Sequence, residues 1–298
     1  IYGQRLLANP DDNVNSWYLE VGEPETQQYK QALSQNAQTE PTIQAYWDYL
    51  EKIRQLYPRA GTKEEKEQQR AESRQRMREK YPLRQILRDA QKAQGRGCYF
   101  AFGRYATAEE LEQVYAVLLS ENKEATLARL LWVFRRVPLP RLHPRLFDWA
   151  TGPVEELKEA ALVALAHTAD ARVHQLARQK LATGAVLGPD SGVLDLFLHN
   201  YSNGDADLIC RALATIQPDA DDAHSLAMGV IDLVEKQGDR DLHQALLWAY
   251  ENTPCSTCRH RAVVQLDKLG LLTDSLVREC CFDADEDTRE LAQKHGTS

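Results

Sequence analysis

No apolar run in the 298-residue chain approaches the ~20 residues that cross a bilayer. The longest, LARLLWVF at residues 127–134, falls far short, so the sequence predicts a soluble chain. No basic leader followed by an apolar segment stands at the N-terminal end, where residue 1 is Ile. Cysteine is sparse, six residues in 298, which argues against a dense disulfide framework and for a reducing cytoplasm. Also missing are a G-x-S-x-G elbow, a P-loop, an H-E-x-x-H pair and a dinucleotide fingerprint, for which Gly95 and Gly97 alone are too little. The common hydrolase, nucleotide-binding and metalloprotease signatures are therefore excluded. No stretch reads as a convincing strand.

Negative charge is not lacking. The net charge is −8, but residues 1–106 carry 17 Lys/Arg against 14 Asp/Glu and residues 107–298 carry 19 against 30. The second part repels phosphate backbones over most of its surface, so any nucleic-acid contact has to use a local basic cluster.

Five stretches share one pattern, in which an acidic, small or thiol residue precedes by seven positions an alanine that opens an apolar helical stripe. They are ENKEATLA (121–128), DARVHQLA (170–177), ADDAHSLA (220–227), CSTCRHRA (255–262) and DEDTRELA (285–292). VEELKEAA (154–161) fits the same frame. A helix start followed by a small residue facing a neighbour is the signature of stacked helical repeats. The alanines at 128, 177, 227, 262 and 292 are unevenly spaced, so the repeats are degenerate.

Over residues 107–298 the pattern resembles the HEAT repeat, including the short variant of phycobilisome-lyase-like proteins. LLWVFRR (130–136), NYSNGD (200–205) and PCSTCR (254–259) are similar to segments of bacterial HEAT-repeat proteins of uncharacterised function. The resemblance implies an all-α fold, a right-handed α-α superhelix forming a degenerate solenoid, preceded by an N-terminal helical extension.

The domain boundary is expected near residue 106, after the glycine- and aromatic-rich stretch 95–105. In the N-terminal region (1–106), helices are expected near 25–35 and 42–57. Trp17, Tyr18 and Leu19 are the packing residues of an otherwise turn-rich start. A capping box at Thr62 and Glu65 opens a charged helix near 62–80. Lys66, Arg70, Arg74 and Arg78 line one face of that helix, diluted by glutamates, and the default is a solvated arm. From Thr107 and Glu110, a second capping box, helices alternate with short breaks to the C-terminal end, with Gly184, Gly204, Gly238 and Gly270 at helix ends.

Three constellations carry chemistry. Arg96, Arg104, Arg135, Arg136, Arg141 and Arg145 accompany Trp132 and the aromatics at 99–105. Guanidinium forks beside aromatic faces suit carboxylates, phosphates or stacked bases, while the same residues also serve as a corner between the N-terminal region and the repeats. Cys255 and Cys258 stand at a helix start that favours a thiolate. With Cys280, Cys281 and His260 they have the residue types of a zinc site, but the second half lacks Cys-x2-Cys spacing and the reading is small buried packing residues. Asn200, Ser202, Asn203 and Asp205 have cation-binding oxygens but read as an inter-helix turn. The carboxylates at 219–222 and 283–287 read as helix caps.

The leading expectation is a non-enzymatic scaffold that recognises a protein or peptide partner through a repeat surface. The partner-binding residues are then Arg96, Arg104, Trp132, Arg135, Arg136, Arg141 and Arg145, without cofactor or metal. Two alternatives stand beside it: a nucleic-acid or polyanion binder using the same cluster, and a HEAT-like enzyme of the DNA glycosylase or lyase kind.

Overall fold

The computed structural model describes residues 41, 44, 45, 48, 63–92, 97–283 and 285–296. Among them every regular element is helical and none is a strand. No described helix is long and apolar enough to cross a membrane. The expected helix near 25–35, the Thr62 cap, Arg96 and the aromatic positions 17–19 lie outside the described residues, as does the expected helix at 42–57 apart from helical Gln44, Ala45 and Asp48.

The first fully described helix, α1 (Lys63–Lys80), is the expected charged one, and its described side chains are largely exposed. It is followed by α2 (Leu83–Gln91) and α3 (Gly97–Tyr105). Residues 97–105 of the stretch at which the boundary is expected are thus helical. The chain divides by compactness into residues 1–73 and 74–298, a different place from residue 106. The physical reason is that Ile86, Ala90, Tyr99 and Phe102 belong to the same buried core as the helices that follow.

From α4 (Ala108–Ser120) onward the elements alternate in two roles. First elements are α4, α6 (Pro144–Thr151), α8 (Ala171–Thr183), α9 (Asp205–Ala214), α11 (His243–Asn252) and α13 (Asp274–Cys280). Second elements are α5 (Glu124–Leu131) with the 3-10 turn Trp132–Arg135, α7 (Glu155–Leu165), the 3-10 segment Gly188–Phe197, α10 (Ala220–Gln237), α12 (Ser256–Lys268) and α14 (Glu286–Gly296). Each second element packs on the next one, giving an unbroken stack from α5 to α14. Their buried faces supply Leu131, Leu162, Leu165, Leu194, Leu226, Val230, Ala262 and Ala292 to one core.

This stack resolves the irregular spacing. Ala128, Ala161, Leu194 and Ala227 stand 33 residues apart, followed by Ala262 and Ala292 at 35 and 30. The 170–177 motif belongs to α8, a first element, and the second element between α7 and α10 is the 3-10 segment, whose Gly-Pro start carries no alanine motif. Leu194 fills the alanine slot there because α10 offers a glycine opposite: a methyl built on Gly229 would lie 2.8 Å from Leu194 Cβ. Gly229→Ala is therefore expected to destabilise by about 1–3 kcal/mol although alanine is the better helix former. Adding Leu194→Ala should cost less in that background than in the parent, and strict additivity in urea melts would refute the pairing.

Local signals explain the helix starts. Thr107 accepts from Glu110 N at 3.2 Å while Glu110 accepts from Thr107 N at 2.8 Å, completing the capping box of α4. Asp170, Asp219 and Thr273 cap α8, α10 and α13 through side-chain oxygens. Gly184 and Gly238 end α8 and α10 in left-handed conformation. Gly204 differs from expectation: it precedes α9 as its N-cap instead of closing a helix, because the preceding 3-10 segment has already ended at Phe197.

Candidate functional site

The arginine and aromatic cluster divides among several contacts. Trp132 is buried, its ring 5.9 Å from Phe100, and the exposed Arg135 guanidinium lies 5.2 Å from both ring centres. Arg141 sits 4.8 Å over Tyr115 and pairs with Glu112 at 2.6 Å, while its carbonyl accepts from the Tyr115 hydroxyl at 2.7 Å. Arg145 lies 4.9 Å from the Trp149 ring centre and donates to the Leu119 and Glu121 carbonyls, satisfying the C-terminal end of α4. Arg104 lies 5.8 Å from the Tyr105 ring, exposed, and Arg136 is exposed. The structure thus brings Trp132 and Arg135 together and uses Arg141 and Arg145 as internal ties.

A second polar surface, not anticipated from the sequence, runs across successive second elements. His167 donates through Nε2 to the Arg135 carbonyl, its ring stands 6.3 Å from His199, and Lys236 Nζ lies 3.1 Å from His199 Nδ1. Beside this run, Arg261 joins Asp232 at 2.6 Å and Glu235 at 2.8 Å, and Gln265 reaches Glu235 at 3.3 Å. Asp195 stands between these groups, partly buried on the 3-10 segment. Burial first, then the Asp232 carboxylate, raise its pKa to about 6, and Arg135 opposes them. Among the described residues none donates a hydrogen bond to its carboxylate.

The cysteines separate in space. Cys280 is buried against the Tyr250 hydroxyl at 3.8 Å, whereas Cys255 and Cys258 meet His224 of α10, the three ligand atoms lying within 4.8 Å of one another. Cys258 Sγ is 3.6 Å from His224 Nδ1. The pull of the helix start toward a thiolate is outweighed: burial, then Cys255, push the Cys258 thiol up to about 11, against the opposing Arg261. His260 instead engages Thr288 at 2.9 Å and Asp285 at 3.2 Å.

The turn at 200–205 is a staple between neighbouring pairs. Asn200 donates to the Thr168 and Leu196 carbonyls and accepts from Asp170 N at 2.8 Å. Asp205 is fully buried and receives His174, Arg178 and Ser202 N. Ser202, His174 and Asp205 do not form a nucleophilic triad, since serine and aspartate address the same ring nitrogen, Nε2. Shallow clefts flank this area and the C-terminal pairs. One, of about 440 Å³, is lined by His174, Arg178 and Leu208; another, of about 460 Å³, is lined by Arg259, Glu279 and the 88% exposed Phe282. Comparison with protein-family models, curated proteins and solved structures finds no match.

Proposed function

We propose that the chain is a non-enzymatic HEAT-like scaffold whose second elements form one face of a right-handed superhelix and bind a basic segment of a protein partner. The near-33-residue register and the neighbour-to-neighbour stack support the repeat reading. The observation that carries the partner class is Asp195, a half-buried carboxylate beside Asp232 with no described hydrogen-bond donor of its own. An unsatisfied carboxylate at a surface is complemented by a lysine or arginine side chain. The excess of 30 Asp/Glu over 19 Lys/Arg in residues 107–298 attracts such a segment at long range.

The sign of the pH effect is fixed by the raised pKa. In the unfolded chain Asp195 ionises near ~3.9, in the folded chain at about 6, so stability falls as pH rises between these values and stays lowered above them. Asp195→Asn is expected to raise stability by about 1–3 kcal/mol at pH 8 and to leave it nearly unchanged at pH 4, read by urea melts. A basic segment that pairs with the ionised carboxylate has the opposite preference: its affinity rises with pH through about 6 and then levels off.

The deciding experiment captures partners from native cells on the intact chain, maps the bound segment and measures its affinity. Asp195→Asn should weaken binding roughly tenfold, equivalent to about 1.4 kcal/mol, without loss of folding. If Asp195→Asn binds like the parent while Arg104→Glu and Arg135→Glu do not, the interface is the arginine and aromatic cluster and the partner segment is acidic.

A further inference from the structure

The same junction recurs between successive second elements. At two of these junctions the fourth or fifth position after the frame start faces the first turn of the next element: Lys158 meets Asp190 at 3.4 Å, and His260 meets Asp285 and Thr288. Between α10 and α12 the corresponding groups are His224, Cys255 and Cys258. Here alone among these junctions the facing atoms are two sulfurs and an imidazole, which make poor mutual hydrogen bonds but are soft metal ligands.

We propose that His224, Cys255 and Cys258 bind one zinc ion, with the fourth tetrahedral position open to water or an external ligand. Zinc bonds of ~2.3 Å to sulfur and ~2.05 Å to nitrogen, at a tetrahedral angle, set a sulfur-to-nitrogen edge of about 3.6 Å. The distance from Cys258 Sγ to His224 Nδ1 is 3.6 Å without any adjustment. Cys255 at the N-cap and Cys258 one turn into α12 both address the same point, and the packing of α10 on α12 fixes the histidine opposite them. Each thiol releases its proton to solvent on coordination, and two thiolates with a neutral imidazole cancel the ion's charge in this partly buried place. Arg261 is no obstacle, because its guanidinium is already held by Asp232 and Glu235. The neighbouring group of His260, Asp285 and Asp287 is different: Asp285 is engaged as the cap of α14 through Thr288 N at 3.0 Å.

The test is cobalt titration of the full chain, stripped with chelator and kept reduced, followed by zinc competition. A thiolate-to-cobalt charge-transfer band should saturate at a single equivalent and disappear when zinc is added. Cys258→Ser and His224→Gln should abolish saturation at that equivalent, and Cys280→Ser should retain it. Cys255→Ser places a good N-cap residue on α12 and so tests ligation without unfolding the helix. Absence of the band in folded, reduced protein overturns the proposal, as does a band that survives in Cys255→Ser or moves with Cys280→Ser.

Discussion

Gly103→Ala is expected to destabilise the chain by about 3 kcal/mol, lowering the melting temperature by roughly 6–12 °C for a domain of this size. Gly103 is buried in α3, where the helix crosses the 3-10 turn Trp132–Arg135, and a methyl there would overlap the Val133 carbonyl oxygen. The obstruction is backbone, so no side-chain rotation relieves it. The two elements must separate, and Tyr99, Phe102, Trp132 and Phe134 lose contact together. Alanine otherwise favours a helix interior over glycine by about 1 kcal/mol. The sign therefore discriminates: a variant that melts at or above the parent would mean that α3 does not approach the turn closely. Such a result would also remove the reason for including α2 and α3 in the core of the helices that follow.

How far this arrangement is legible from the sequence depends on whether the signal is local. Thr107 with Glu110, and Asp170, Asp219 and Thr273, announce their helices because a cap needs only its own first turn. The register of the repeats is harder. The motif at 170–177 begins a first element and mimics the second-element pattern, because any helix that buries an alanine after a polar start satisfies it. The 3-10 segment carries no alanine motif, and only the 33-residue interval from Ala161 to Leu194 to Ala227 marks its place among the second elements.

The candidate sites follow the same logic. Sequence proximity groups Cys255 and Cys258 with Cys280 and Cys281, whereas the side chain the fold brings to them is His224, 34 residues before Cys258 and on the preceding second element. The correct register would have supplied it. Asp195 has no such signal: its raised pKa comes from burial and from Asp232 on the next element, neither of which a single segment encodes. The sequence shows the arginines as a cluster but not their partners. Glu112, the Leu119 carbonyl and the Glu121 carbonyl belong to the preceding helix and its end, and they convert Arg141 and Arg145 into ties between pairs.

Asp205→Ala is expected to cost about 3 kcal/mol, toward the lower end of the range for removing one partner of a buried ion pair. Asp205 is wholly inaccessible, opens α9, and accepts from His174 Nε2 at 2.8 Å, Ser202 N at 2.7 Å and Arg178. Its negative charge also sits where the helix amides point. The loss stays at the lower end because the Arg178 side chain is 43% exposed and can be rehydrated once its partner is gone. The His174 side chain is less accessible to water, so more of the penalty falls on it. Asp205→Asn keeps one acceptor but turns an amide donor toward groups that already donate, and it should fall between alanine and the parent. The loss should be visible as faster amide exchange in α8 and α9, the two elements that the carboxylate joins. Asp205 lies on the first-element side, away from Asp195 and Asp232, so the folded Asp205→Ala protein at low temperature should bind a basic segment as the parent does. Equal stability of Asp205→Ala and the parent would show that the staple is replaceable by water. Weakened binding in the folded variant would place the recognition surface on the α8 and α9 side instead.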